Sequence, residues 1–115
     1  MKSFEIGYGD DKVIIHPRMA SIAEVEETQR QLNELAEDSA DKYQREFELC
    51  RDALDSWSKS PAEKLVKEKG EFKPVKIEGG LKAHYAERSP ENERCVREAY
   101  QIVCTQFRPD SRFVF

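Results

Sequence analysis

Between Ser21 and Ser60 the chain runs for 40 residues without a glycine or a proline. A stretch of that length lacking both helix breakers is pushed towards helix. Ser21 and Glu24 open it with an S-x-x-E capping box, in which each side chain satisfies a backbone N–H of the first turn. Apolar and small residues then follow steps of three and four: Ile22, Val25, Gln29, Leu32, Ala36, Ser39, Tyr43, Phe47, Cys50, Leu54 and Trp57. Such spacing keeps one helical face apolar, with a stutter where a second step of four falls between Tyr43 and Phe47. Unbroken, this helix would span about 60 Å. A compact chain of 115 residues is only about 35 Å across. Either the helix breaks near Ser39, where Glu37-Asp38-Ser39-Ala40-Asp41 is the weakest part of the stripe, or it reaches past the globule and buries its stripe on another chain.

The flanking segments punctuate themselves. Over residues 3–16, Phe4, Ile6 and Tyr8 alternate with Glu5 and Gly7, Gly9-Asp10-Asp11 supplies a turn, and Val13-Ile14-Ile15 returns as a second strand ended by Pro17. A lone hairpin is marginal in water and needs something to pack on. Ser60-Pro61-Ala62-Glu63 reads as a second capping box with proline at the first helical position. It predicts a short helix carrying Leu65 and Val66, capped by Gly70. Residues 72–77 read as extended, with Pro74 confining any strand to an edge. Gly79-Gly80 forces a turn, and 81–87 fits strand or helix equally. Ser89-Pro90-Glu91 opens a last helix with Val96, Ala99, Tyr100, Val103 and Phe107 on its buried face, ended by Pro109. The apolar tail Arg112-Phe113-Val114-Phe115 is expected to dock on the domain or on a partner. The expected fold is one α+β domain over 1–115, predominantly α-helical. It comprises an N-terminal hairpin (1–17), a long, continuous or broken helix (21–60), a short helix and edge strand (61–88), and a C-terminal helix with its tail (89–115).

Composition narrows the function classes. With 37% charged residues, a mean hydropathy of −0.79 and no apolar run near 18 residues, no transmembrane helix is expected. The alternating N-terminus lacks a secretory h-region, and three cysteines without paired spacing suit reduced thiols, so the expectation is cytoplasmic. A net charge of −4 argues against a general polyanion binder. The charge is uneven: Ser21–Ser60 holds 11 acidic and 5 basic residues, a net of −6, which leaves +2 on the remainder. Lys59, Lys64, Lys67, Lys69, Lys73, Lys76, Lys82 and Arg88 concentrate the positive charge in the middle segment. They fit a nucleic-acid backbone with Tyr85 nearby for stacking, or the lysines that keep an edge strand soluble, or a basic segment that meets the acidic helix of a second copy.

Nothing in the spacing carries chemistry. Cys50, Cys95 and Cys104 fall on or beside helical stripes as small hydrophobes, and no signature joins them to His16 or His84. Zinc-ligand pairs, phosphate-binding glycine loops and a catalytic carboxylate dyad are not recognisable. Accordingly no catalytic, cofactor, metal or small-molecule site is expected. The residues expected to bind a protein partner, or a second copy, are Val25, Leu32, Tyr43, Phe47, Leu54 and Trp57 on the stripe, with Phe113 and Phe115 of the tail.

The run Phe4-Glu5-Ile6-Gly7-Tyr8-Gly9-Asp10-Asp11-Lys12-Val13-Ile14-Ile15, followed by the Ser21 cap and an Ile22-to-Leu35 helix, resembles small tail assembly chaperones of long-tailed bacteriophages over about the first third of the chain. That resemblance implies a non-enzymatic protein that oligomerises and holds a tape-measure protein, in the cytoplasm of a phage-infected or prophage-bearing bacterium. No binding residue is carried over from it. The alternatives are a nucleic-acid-associated accessory protein using Lys64–Arg88, or a small inhibitor whose acidic helix, with Glu24, Glu26 and Glu27, mimics a nucleic-acid backbone.

Overall fold

Phe4–Tyr8 (β1) and Asp11–Ile15 (β2) form an antiparallel hairpin with Phe4 opposite Ile15 and Tyr8 opposite Asp11. The two-residue turn places Gly9 at φ 59° while Asp10 keeps a negative φ, the pattern of a turn whose first central residue must be glycine. Period-two alternation sends Ile6, Val13 and Ile15 to one face, where all three are buried. The computed structural model describes residues 2–35, 37 and 40–107, with only the backbone at Phe107.

The Gly- and Pro-free stretch is two helices. Ile22–Asn33 (α1) starts at the expected box: Glu24 N–H donates to Ser21 Oγ at 3.2 Å and Ser21 N–H donates to the Glu24 carboxylate at 2.7 Å. Lys42–Ser56 (α2) follows, so the break falls between Asn33 and Lys42; Ser39, and Ala36 of the stripe, lie outside the described residues. With a longest extent of 47 Å, the molecule could not hold the straight helix of about 60 Å. Arg18 clips the helical pair together, donating to the Glu24 carboxylate at 2.8 and 3.2 Å and to the Ser56 carbonyl at 3.2 Å.

The expected helix over 61–70 is instead a strand. Glu63–Glu68 (β3) pairs antiparallel with Glu71–Lys76 (β4) and, through Val13↔Lys64 and Ile14↔Glu63, with β2. The sheet order is therefore β1-β2-β3-β4, all antiparallel, with the helical pair inserted between β2 and β3. Non-local pairing overrides the local capping signal here. Gly70 serves a tight turn with Lys69, both at positive φ, rather than a helix end. The fold is consequently mixed α+β and not predominantly helical. Gly80–His84 (α3) resolves the ambiguous segment as one short helix. Pro90–Phe107 (α4) begins where expected, with Asn92 N–H donating to Ser89 Oγ at 3.1 Å.

One core joins these layers. Ile6, Val13 and Ile15 of the sheet share a contiguous cluster with Phe47, Leu54 and Trp57 near or in α2, Leu81 and Tyr85 around α3, and Val96, Ala99, Tyr100 and Val103 of α4. The strands continue past their ends: Arg18 N–H donates to Trp57 carbonyl and Lys59 N–H to His16 carbonyl, each at 2.9 Å. This seam fixes the end of α2 against the end of β2 and aims the chain into β3.

Acid should loosen the α1 entry. The Arg18 guanidinium, with the Ser21 N–H, holds the Glu24 carboxyl down at about 2 from an ordinary 4.5. A carboxyl depressed in the folded state contributes stability above its unfolded value, and the contribution is lost as pH falls through the folded one. Thermal unfolding followed from pH 5 to pH 2 should therefore show a decline with acid that is shallower in Glu24→Gln. Equal slopes in the two proteins would remove Glu24 from the account.

Candidate functional site

The stripe residues expected to bind a partner are placed mostly inside. Val25, Phe47, Leu54 and Trp57 belong to the core, and Leu32 packs against it half-buried. Tyr43 alone among the described six is open, 56% exposed, with the Arg88 guanidinium 6.0 Å from its ring centre. Phe113 and Phe115 lie outside the described residues. Val25, Phe47, Leu54 and Trp57 of the stripe thus pack inward, while Ile22 at its start is 77% exposed.

Two charged residues of α2 do work that their spacing hides. Arg51 and Asp55 stand four residues apart on α2, a spacing at which opposite charges can pair, yet they serve separate ends of the fold. Arg51, only 5% exposed, donates from Nη1 to the Tyr85 carbonyl at 3.1 Å and from Nε to Asp52 at 3.0 Å, over the Phe47 ring. Asp55 receives the N–H groups of Leu81 and Lys82 at 2.9 and 3.1 Å, satisfying orphan donors at the start of α3. Both are structural tethers from α2 to the Gly79–Tyr85 segment.

Between α1, α2 and α4 lies a groove of about 610 Å3, walled by Leu32, Phe47, Cys50, Val96 and Tyr100, with Lys42, Glu46, Glu93 and Arg97 also lining it. Its size is ordinary for a small-molecule pocket. Burial, then the nearby Glu46 carboxylate, push the Cys50 thiol in it up to about 12, which disfavours the thiolate. Burial likewise raises Cys95 and the Tyr85 and Tyr100 phenols. Tyr100 accepts a hydrogen bond from the Gln29 amide at 3.0 Å, joining α4 to α1. The groove therefore offers shape and mixed charge, with no thiolate nucleophile.

The β3–β4 hairpin is the most solvent-facing element. Its root is buried at Ala62 and Ile77, joined by a 3.0 Å backbone bond. Pairing with β2 stops at Lys64, while β3 and β4 continue together to Glu68↔Glu71. Every residue of β4 is exposed. Val66, Phe72 and Val75 are 37%, 46% and 43% exposed, set among Lys64, Lys67, Lys69, Lys73 and Lys76. Cross-strand register puts Leu65, Lys67, Phe72 and Pro74 on one face, and Lys64, Val66, Lys73 and Val75 on the other. The Lys67 ammonium sits 5.9 Å from the Phe72 ring centre.

A third constellation crosses three strands. Ser3 Oγ lies 2.7 Å from His16 Nδ1, and His16 Nε2 lies 2.6 Å from Glu63 Oε1. Ser3 precedes β1, His16 follows β2 and Glu63 begins β3, so the strand register alone brings them together.

Comparison with protein-family models, with curated proteins and with solved structures gives no match. Among the described residues no group of three His, Cys, Asp or Glu side chains is arranged to hold a metal ion. No helix among them is long and apolar enough to cross a membrane. His84 Nε2 lies 3.6 Å from Asp11 Oδ1 of the first hairpin, and its ring stands edge-on to Tyr85.

Sequence reasoning missed the hairpin as a projecting element, because the Ser60–Glu63 cap mimic hid β3. It also missed the Ser3–His16–Glu63 chain. The hairpin register, with Phe4 opposite Ile15, implies Ser3 beside His16, but nothing local points to Glu63.

Proposed function

We propose that the chain is an assembly protein that self-associates through the β3–β4 hairpin. The observation that carries this is the exposure of Val66, Phe72 and Val75 on a two-stranded element that projects beyond its pairing with β2. Apolar side chains clustered on a projecting element mark an interaction surface better than scattered ones do. The charges choose the occupant. Residues 63–76 carry five lysines and three glutamates, whereas Ser21–Ser60 carries the net −6 of the chain. The hairpin of one copy is thus complementary to the acidic helical side of the next, which gives a head-to-tail contact. Pro74 favours this side-chain mode over edge-to-edge pairing. Counting outward from the Lys69-Gly70 turn, position 74 is one whose N–H would face away from β3, so the proline removes a donor from the middle of the free edge. The resemblance to tail assembly chaperones belongs to the same class, and would add a structural client to be held.

Light scattering at rising concentration should give a particle mass above 13.4 kDa at low salt, falling towards the monomer at high salt as the charge contribution is screened. Phe72→Glu and Val75→Glu, one on each hairpin face, should reduce association at least about tenfold without changing far-UV circular dichroism. A wild-type protein that stays monomeric at every concentration sinks the proposal. Salt-sensitive retention of an oligonucleotide by that monomer would instead transfer the lysines to a nucleic-acid role.

A further inference from the structure

The Ser3–His16–Glu63 chain has the order that nucleophilic catalysis requires: hydroxyl, imidazole, carboxylate. Its hydrogen-bond directions follow from chemistry. A carboxylate can only accept, so the imidazole nitrogen 2.6 Å from Glu63 Oε1 must carry a proton. That places the proton on Nε2 and, in the neutral ring, leaves Nδ1 with a free lone pair. The only hydrogen that can occupy the 2.7 Å gap to Ser3 Oγ is then the serine's own. Glu63 thereby selects the tautomer that makes His16 a base towards Ser3. Relative to the familiar serine hydrolase arrangement the two ring nitrogens exchange places, which leaves the proton path intact.

The setting is accessible. Ser3 is exposed, and the His16 and Glu63 side chains are 19% and 31% exposed. A reagent can approach the hydroxyl while the imidazole stays fixed between two partners. Ser3 and His16 each lie one residue beyond the Phe4↔Ile15 pair and Glu63 begins β3, so the sheet holds the backbone on which all three sit.

We infer that Ser3 is an activated nucleophile that accepts the acyl group of an activated ester, such as an aryl ester or a thioester, with His16 as its base and Glu63 as the residue that positions His16. The Ser3 oxygen forms a bond to the carbonyl carbon as its proton passes to His16 Nδ1. The tetrahedral adduct collapses with cleavage of the bond to the leaving oxygen or sulfur, which takes that proton. Ser3 is left as an ester, and a water molecule activated by the same nitrogen can hydrolyse it to the acid and free serine. This activity is independent of self-association and is read on a single residue.

The test treats the full chain with a fluorophosphonate, in which the phosphorus–fluorine bond breaks as the bond from Ser3 oxygen to phosphorus forms and HF departs. Peptide mapping by mass spectrometry follows the label with time. Ser3 should be labelled ahead of exposed serines such as Ser21, and Ser3→Ala should lose that label. His16→Gln and Glu63→Gln should slow it at least about tenfold. Glu63→Gln retains an acceptor for the Nε2 proton, so a thermal midpoint near the wild-type value alongside slower labelling separates positioning of the base from stapling of the strands. Labelling of Ser3 no faster than of Ser21, or at the same rate in folded His16→Gln, would overturn the inference and leave the three side chains as a cross-strand staple.

Discussion

Gly7→Ala should be the most damaging single-methyl change in the chain, with a loss of roughly 3–5 kcal/mol. Gly7 sits at φ 119°, where a side chain is strained whatever the space around it. Space is lacking as well. A Cβ built there would lie 2.1 Å from the Asp11 carbonyl oxygen, and because the obstacle is backbone, no rotamer change relieves it. Relief would require β1 to part from β2 opposite Lys12, next to the buried Ile6–Val13 pair. Gly9→Ala, in the adjacent turn, meets no atom within 4 Å and carries only the cost of its own positive φ. Denaturant titration of the two variants should rank them in that order, with Gly7→Ala lower in midpoint. Near-equal midpoints would show that the strand pair yields more readily than its register implies.

Trp57→Ala should cost about 3–5 kcal/mol, and the way it fails is informative. Trp57 is 2% exposed and its ring lies against Tyr100, centroids 5.9 Å apart at 27°. A partner-binding tryptophan would lose its partner on truncation and leave the thermal midpoint unmoved. Buried in the seam between α2, the end of β2 and α4, it should lower that midpoint by more than about 10 °C. Trp57→Phe keeps an aromatic against Tyr100 and should recover most of the difference. As the sole tryptophan of the chain, Trp57 also reports wild-type unfolding by its fluorescence. An alanine variant that unfolds at the wild-type temperature would return the stripe to the surface.

Short-range chemistry was readable and long-range pairing was not. The Ser21–Glu24 box forms both of its reciprocal bonds, Ser89 caps α4, and the alternation of Phe4, Ile6, Val13 and Ile15 marks the first hairpin. Each signal lies within a dozen residues of its partner. β3 failed because Ser60-Pro61-Ala62-Glu63 satisfies every local rule for a helix start. The deciding contacts, with Val13 and Ile14, are about 50 positions away. Lys69 at φ 53° gave no warning, since a lysine is not a residue that advertises a tight turn. The same distance explains the sites. Arg51 looks like a surface partner of Asp55 until α3 closes over it and offers the Tyr85 carbonyl. Glu63 joins His16 only after the sheet exists. Of the stripe, the spacing showed which residues share a face, while burial of that face on the chain's own sheet and α4 required the fold.

Pairing of β2 with β3 also governs the order in which a nascent chain can finish folding. Ile14 leaves the ribosome 49 residues before its partner Glu63. Until then the first hairpin has no third strand, and Val13 and Ile15, fully buried in the finished molecule, remain open to water. The intervening helices can form locally, but they cannot close the core because α4 is translated later still. Closing this long loop is the slow entropic step. The interval is when the chain is most open to wrong contacts, and slowing synthesis between Ser21 and Glu63 lengthens it.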